Sequence, residues 1–283
     1  MPELPEVETV RRGLERRLLG QMISTVVLAR PQVIRGDTMR FCGEIEGRRV
    51  ARLCRKGKTL AIELHSKDGG PPHHLIIRLG MTGQLVIAET GAPLLPHTHV
   101  RMILEGGVEE LRFRDPRRFG MLRCCTTAEA RGVFNSLGPD ALEISEGEFD
   151  DAIRGRNGAV KAWLLNQQML AGLGNIYADE ALFEARIHPQ TPAGRIRKLQ
   201  RHLLYRAIHK VLRRAVNLQG TSFRDYIDVE GNAGRFEPLL RAYRRTGLPC
   251  RRCGARIQRV TISGRSSHFC PDCQPRPRKQ RSR

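Results

Sequence analysis

An apolar repeat of helical spacing opens the chain. Val7, Val10, Leu14 and Leu18 recur at intervals of three and four with arginines between them, so the residues after the two prolines of "MPELPE" predict a helix within 1–20. From about residue 22 to 125 the period shortens. "MISTVVL" (22–28), "TLAIELH" (59–65), "LIIRL" (75–79), "QLVIA" (84–88), "HVRMIL" (99–104) and "ELRFR" (110–114) are short and rich in β-branched residues, and in 59–65 Leu60, Ile62 and Leu64 alternate with Ala61, Glu63 and His65. "DGGPP", "GMTG" and "EGG" punctuate them. Short strands with tight turns predict an antiparallel sandwich.

After "LGPDAL" (137–142) the period lengthens again. "FDDAI" and "AVKAWLLNQQML" predict helices, "AGLGN" interrupts them, and "IYADEALFEA" resumes. The longest helix is predicted over 195–217, with Leu199, Leu203, Ile208, Val211, Leu212 and Val216 as its apolar stripe and Arg201, Arg206, Lys210, Arg213 and Arg214 as a basic side. Residues 218–247 are Gly-rich and polar, a length that marks a functional or disordered loop. A cysteine module begins at 248, and "QPRPRKQRSR" predicts a disordered tail. No internal repeat is present.

Charge narrows the function. Among 283 residues, 49 Lys and Arg stand against 29 Asp and Glu, a formal net charge of +20. A surface this basic suits a polyanion, since neutralising phosphates releases their counterions. The excess is mostly arginine, whose planar fork matches phosphates and guanine edges. One Trp and four Tyr leave little for an aromatic stacking platform. No apolar run is long enough for a membrane span, and no signal peptide precedes the first charges.

The eight cysteines fall into two sets. Cys42, Cys54, Cys124 and Cys125 are scattered and read as small hydrophobes in a reducing cell. Cys250 and Cys253 in "CRRC" precede Cys270 and Cys273 in "CPDC" by sixteen residues. Two such knuckles offer four thiolates at tetrahedral corners and predict one structural Zn2+ with no open coordination position. Between them "TISGRSSHF" predicts a hairpin with Arg265 at its tip. Gly172 and Gly174 precede Asn175, a candidate N-cap, and a helix N-terminus of that kind offers free N–H groups to a phosphate; an ordinary helical corner fits the same residues.

"MPELPEVETVRRGL", "LGMTGQL", "FRDPRRFG", "LAGLGNIYADEALFEARIHP" and the closing cysteine module resemble, in that order, the bacterial formamidopyrimidine-DNA glycosylases, over residues 2 to about 273. The resemblance implies an α+β fold. An N-terminal antiparallel β-sandwich with flanking helices spans 1–130, a helix-two-turns-helix domain 131–247, a zinc finger 248–274 and a disordered basic tail 275–283. It implies an enzyme of base excision repair that removes oxidised purines from duplex DNA through a Schiff base on Pro2, freed by removal of Met1, and then cuts the abasic site by β,δ-elimination. By the same resemblance Glu3 handles protons, Lys58 binds the phosphate beside the lesion, and Arg265 grips phosphate around the flipped nucleotide. Met81, Arg117 and Phe119 fill the void and meet the widowed cytosine. His97, Arg156, Asn175 and Lys161 are expected among the DNA contacts. The resemblance also implies damaged duplex DNA as the partner, a monomer with no obligate protein partner, and the bacterial cytoplasm. The composition of 219–236 differs from commoner versions of the loop that covers the lesion base.

Two other readings fit parts of the sequence. The endonuclease VIII branch uses the same chemistry on oxidised pyrimidines, but Leu4 and "DPRRFG" favour the purine enzyme. A non-catalytic DNA-binding protein would explain the charge and the cysteines but not Pro2 and Glu3.

Overall fold

The computed structural model describes residues 2–276; Met1 and most of the expected tail, from residue 277, lie outside the described residues. The first helix, α1 (Leu4–Leu18), starts where the sequence predicts. Glu3 is its N-cap, Pro5 occupies the first turn, and the Glu6 side chain reaches back to the Glu3 N–H at 2.7 Å. Proline needs no N–H partner there, and the reciprocal Glu3–Glu6 capping box satisfies donors that a helix start leaves open. Leu4, Val7, Val10, Leu14 and Leu18 are buried.

Eight strands follow: β1 (Met22–Leu28), then after the short helix α2 (Thr38–Gly43), β2 (Arg48–Lys56), β3 (Thr59–Ser66), β4 (His73–Arg78), β5 (Gln84–Glu89), β6 (Thr98–Leu104), β7 (Glu109–Arg114) and β8 (Met121–Thr126), closed by α3 (Thr127–Asn135). They form one antiparallel series ordered β5-β7-β6-β1-β2-β3-β4-β8. The β1–β2 join rests on Met22↔Arg49 and Ile23↔Arg48 alone. Strands on both sides of that join, together with α1, contribute to one core: Leu60, Ile62 and Leu75 from one half, Val100, Met102 and Phe113 from the other. This is the predicted sandwich. Ala61, Ile76 and Cys125 face the opposite way and pack with Ala130 of α3, so β3 and β4 are apolar on both faces.

Two strands escape the hydrophobic pattern. In β2 the buried residues are Val50 and Leu53, three apart, because the pairing shifts between Val50↔Leu64 and Arg52↔Glu63. The bulge at Ala51 breaks the two-residue period. In β8 the inward positions are Leu122 and Cys124, and the arginine and paired cysteines conceal them. The scattered cysteines are free thiols. Burial pushes Cys124 up to about 12 and Cys125 up to about 11, so both stay protonated and unreactive at neutral pH.

The chain divides into two compact units: residues up to Ser136 with Ala215–Glu237, and Leu137–Arg214 with the chain from Pro238. The first unit therefore takes most of the long polar loop, which is largely folded. Val229 and Tyr226 join the sandwich core, the Ile87 N–H donates to the Val229 carbonyl at 2.9 Å, and a Cβ on Gly13 of α1 would lie 2.5 Å from Val229.

The second unit is built from α4 (Glu146–Ile153), α5 (Val160–Leu165), α6 (Asn175–Glu184), α7 (Lys198–Asn217) up to Arg214, and the hairpin β9 (Gln258–Ile262) and β10 (Arg265–Phe269). The helix expected over "AVKAWLLNQQML" stops at Leu165, where Asn166 turns to an extended conformation and its side chain accepts from the Gln168 N–H at 3.0 Å. The apolar stripe of α7 also differs. Leu204, Ala207, Ile208, Leu212, Ala215 and Val216 are buried, whereas Leu199 is 70% and Leu203 46% exposed. Ile208, Leu212 and Val216 of the expected stripe do face inward, and the difference lies in the first half of the helix, where Leu204 takes the place expected for Leu203. Leu204→Ala is expected to lower stability by about 2–5 kcal/mol through the cavity it leaves. Leu199→Ala and Leu203→Ala should stay within about 0.5 kcal/mol of the parent in denaturant titrations.

Candidate active site and nucleic-acid interface

In the first unit the predicted chemistry sits at the start of α1. Pro2 is buried, and Glu3 and Glu6 are almost wholly so. The two Glu6 oxygens divide their work. One takes the Glu3 N–H; the other accepts the Thr221 N–H at 2.7 Å, and the Tyr226 hydroxyl donates to the Glu6 carbonyl at 3.3 Å. Glu6 thus fixes the chain beside Pro2 and Glu3 to the segment 219–236.

Two residues along α1, Glu8 fixes a second element. Its carboxylate takes Arg11, Arg12 and, at 2.9 Å, the Nε of Arg55, whose side chain is 3% exposed. Arg55 Nη1 donates to the Gly57 carbonyl at 3.1 Å. Gly57 and Lys58 form the two-residue turn between Lys56 and Thr59, with Gly57 at φ +57°. A positive φ at the first turn position is the geometry glycine allows and a hairpin of this kind needs. Lys58 therefore stands at a turn whose backbone is tied to α1, while Lys56 donates to the Phe134 carbonyl at 3.0 Å.

The other predicted residues of this unit converge on one buried carboxylate. Asp115 directly follows β7. Its Oδ1 accepts from the Thr82 hydroxyl and from the Arg117 N–H at 3.3 Å, and its Oδ2 accepts the Gly120 N–H at 2.7 Å. Its own N–H donates to the His97 carbonyl at 3.0 Å. The loops bearing Met81, His97 and Arg117–Phe119 are thereby held together. Gly80, at φ +62°, lets the two outer loops touch: a Cβ there would lie 2.5 Å from the Phe119 carbonyl carbon. What these loops present is exposed. Met81 is 38% and Phe119 57% accessible, and the Arg117 guanidinium lies 4.6 Å over the Phe119 ring.

In the second unit, the Gln167 amide clamps the glycine turn, accepting the Gly172 N–H at 2.9 Å and donating to the Leu173 carbonyl at 2.8 Å. The N-cap of α6 is Gly174, not Asn175, which is the first helical residue. Glycine takes the extended cap conformation and leaves the Asn175 side chain uncommitted to capping; its Oδ1 is buried without a hydrogen-bond partner among the described residues. Arg156 is exposed between α4 and α5.

Arg265 is exposed at the first position after the β9–β10 turn, formed by Ser263 (φ +47°) and Gly264 (φ +73°). The hairpin is anchored by Asp179 of α6. Its carboxylate accepts the His268 N–H at 3.0 Å, faces His268 Nδ1 at 2.8 Å, takes the Ser267 hydroxyl at 3.3 Å and pairs with Lys161. Lys161, which the resemblance puts among the DNA contacts, is wholly buried, its ammonium also donating to the Ser266 carbonyl at 2.8 Å. It has no surface that a duplex could touch. The neighbouring Glu180 accepts the N–H groups of Arg241, Ala242 and Tyr243, and burial raises its pKa.

The four patterned cysteines come together, their sulfurs within 4.8 Å of one another. Cys253–Cys270, Cys273–Cys253 and Cys250–Cys273 are 3.4, 3.5 and 3.9 Å apart. Thiolates about 2.3 Å from one tetrahedral zinc would be about 3.8 Å apart, so the donor set fits that ion. The Arg252 and Cys273 N–H groups point at Cys250 and Cys270 sulfur, each at 3.4 Å.

The sandwich, the helical unit with its glycine turn and the four-cysteine hairpin define a DNA-glycosylase architecture of three modules. Family models agree in chain order: the formamidopyrimidine-DNA glycosylase N-terminal domain matches residues 1–122, the H2TH domain of the same enzymes residues 137–226, and the zinc finger found in FPG and IleRS residues 247–276. The formamidopyrimidine-DNA glycosylase of Desulforamulus reducens is 43% identical over 280 residues, covering 97% of this chain and 99% of that one. That of Heliobacterium modesticaldum is 44% identical over 283 residues, covering 97% and 100%. The Lactococcus lactis enzyme, solved with DNA containing an abasic site, superposes with a TM-score of 0.89 at 35% identity, covering 97% of this chain and all of that one. The chain belongs to the formamidopyrimidine-DNA glycosylase family. Among the described residues no helix is long and apolar enough to cross a membrane.

The positioning residues Glu6, Glu8, Arg55, Asp115 and Asp179 escape a reading of the sequence for chemistry. Glu6 alone carries a local signal, its capping-box spacing from Glu3. Glu8 gives a pH test. Three guanidinium groups outweigh the effect of burial and hold it down to about 2, from an ordinary 4.5. A depressed folded-state value stabilises the fold above the unfolded value and is lost as pH falls through the folded one. Stability should therefore decline between about pH 4.5 and 2, and Glu8→Gln should flatten that slope in denaturation curves taken across the window.

Proposed function

We propose that this protein is a bifunctional glycosylase and lyase that removes oxidised purines, 8-oxoguanine and ring-opened formamidopyrimidines, from duplex DNA. The observation that carries it is the buried start of α1, where Pro2 adjoins Glu3 and Glu6 holds both to the fold. Related proteins solved with Fapy-dG, abasic-site and 8-oxo-G DNA support the substrate class.

The chemistry requires removal of Met1, which frees the Pro2 secondary amine. An α-amino group titrates near 8, about two units below a lysine, so a useful fraction is neutral at pH 7. The positive end of the α1 dipole favours that neutral form. The nitrogen pair forms a bond to C1′, and the pair of the C1′–N9 bond leaves with the base, which is protonated. Opening of the sugar ring, with Glu3 carrying the proton to O4′, gives an iminium. Having no N–H to lose, this proline iminium stays cationic and draws electrons. Loss of a C2′ proton expels the 3′ phosphate, and loss of a C4′ proton expels the 5′ phosphate. Lys58 holds the phosphate beside the lesion, and Arg265 grips phosphate around the flipped nucleotide and assists the second elimination. Met81 and Phe119 fill the emptied stack, and Arg117 meets the opposing cytosine. His97, Arg156 and Asn175 contact phosphates. Lys161 acts from within, by holding β10 and so Arg265. Cys250, Cys253, Cys270 and Cys273 hold one Zn2+, whose contribution is to fix the two knuckles that frame the hairpin.

Borohydride added to the Met1-processed protein with an 8-oxoguanine·C duplex should yield a covalent protein–DNA adduct, and Glu3→Gln should slow base release by about 10²–10⁴-fold. Failure of the processed protein to form the adduct would sink the mechanism, and preference for thymine-glycol duplexes would move the protein to the pyrimidine branch. Elemental analysis should find about one zinc per chain, and chelation should lower both melting temperature and duplex affinity. A zinc-free preparation that keeps both would refute the metal assignment.

A further inference from the structure

We propose that a cavity at the C-terminal end of α6 is a second anion site, built for a phosphate-bearing ligand and separate from the groups assigned to the lesion duplex. The cavity has a volume of about 480 Å³ and is lined by Arg214, Arg241, Arg251, Arg252, Phe183 and Leu239. That volume lies in the range of ligand pockets. The four guanidinium groups come from three separate stretches of chain, the end of α7, the segment after Leu239 and the first cysteine knuckle.

Part of this charge is structural. Glu184 at the end of α6 pairs with Arg241 at 2.8 Å, with Arg252 at 3.4 Å and with Lys210. Arg252 also donates to the Phe183 carbonyl at 3.1 Å and stacks 4.7 Å over the Phe183 ring, as suits a cation at a helix C-terminus. Two carboxylates, Glu184 and the Glu180 that accepts the Arg241 N–H, set against four lining arginines and Lys210 leave the cavity net positive. Arg214 and Arg251 go beyond that helix-capping role. Both are exposed, and Arg251 is aligned by its bond to the Pro238 carbonyl at 2.7 Å. Four guanidinium groups around one cavity match the oxygens of a phosphate or pyrophosphate. The site is not the lesion site: α6 has ten residues, so its C-terminal end lies about 14 Å along the axis from Asn175. The ligand is the phosphate group itself, borne by a free nucleoside polyphosphate or by a strand other than the lesion duplex.

The test is calorimetric titration of inorganic pyrophosphate into the zinc-loaded full chain already saturated with an abasic-analogue duplex, at constant ionic strength. Saturable binding is expected. Arg214→Gln and Arg251→Gln should each weaken it by about tenfold, the effect of about 1.4 kcal/mol, with incision of an 8-oxoguanine duplex unchanged. Arg214 is remote in sequence from the cysteines, so it decides the matter alone if the Arg251 variant disturbs the knuckle. Competition by a deoxynucleoside triphosphate identifies a free nucleotide as the source, and competition by an undamaged oligonucleotide identifies a second strand. Absence of saturable binding, indifference to both variants, or release of the duplex by pyrophosphate would overturn the proposal. Failure of the lesion chemistry with pyrophosphate binding intact would remove only the function proposed above.

Discussion

A carboxylate taken out of water must find donors, and in this protein four such groups find them in segments far apart in sequence. Glu6 takes N–H groups from residues 3 and 221, and Asp115 gathers Thr82, Arg117 and Gly120. Glu180 collects three successive N–H groups from 241–243, and Asp179 takes the hairpin and Lys161. An unpaired charge at any of these depths is costly, so each carboxylate locks its donors into one geometry. What is locked is, in every case, the backbone of a segment that carries candidate chemistry or adjoins it. Precision on exposed loops is thus obtained from groups buried beneath them.

The division of labour is clear in the DPRRFG turn. Arg117 and Phe119 present a solvated cation stacked on an exposed ring, while Asp115 below accounts for the shape of the turn. The β10 hairpin repeats the arrangement, with Arg265 outside and Asp179, Lys161 and His268 inside. A lysine and an aspartate wholly excluded from water are weak contributors to net stability but demanding in geometry.

Much of the fold is legible in the sequence where one face of an element is buried. The stripe of α1 and the alternation of β3 need no tertiary information. The reading fails where a second constraint enters: the bulge at Ala51 puts Val50 and Leu53 on one face, and α7 turns Leu199 and Leu203 outward because its inward face is set by Leu204 and Ile208. The four zinc-type cysteines are legible because each C-x2-C spacing forms one knuckle and two such knuckles signal a metal site; the β9–β10 hairpin between them brings the pairs together. The helix start is displaced by one residue, with Gly174 as the cap, although asparagine is the better capping residue by preference. Lys161 is misjudged for a different reason. The resemblance puts a lysine at that position without saying what its ammonium meets, and only the position of Asp179, one helix away, reveals that its charge is already matched.

The bond between the Glu6 side chain and the Thr221 N–H spans 215 residues. During synthesis the first residues leave the ribosome long before their partner exists. At about 5–20 residues per second the gap is on the order of 10–40 s. Throughout that interval Glu6 lacks its Thr221 donor, and the start of α1 is held to nothing of 219–236. Order of synthesis therefore makes the tie between the start of α1 and 219–236 one of the last contacts of the first unit to form, which a partner near in the chain would not be.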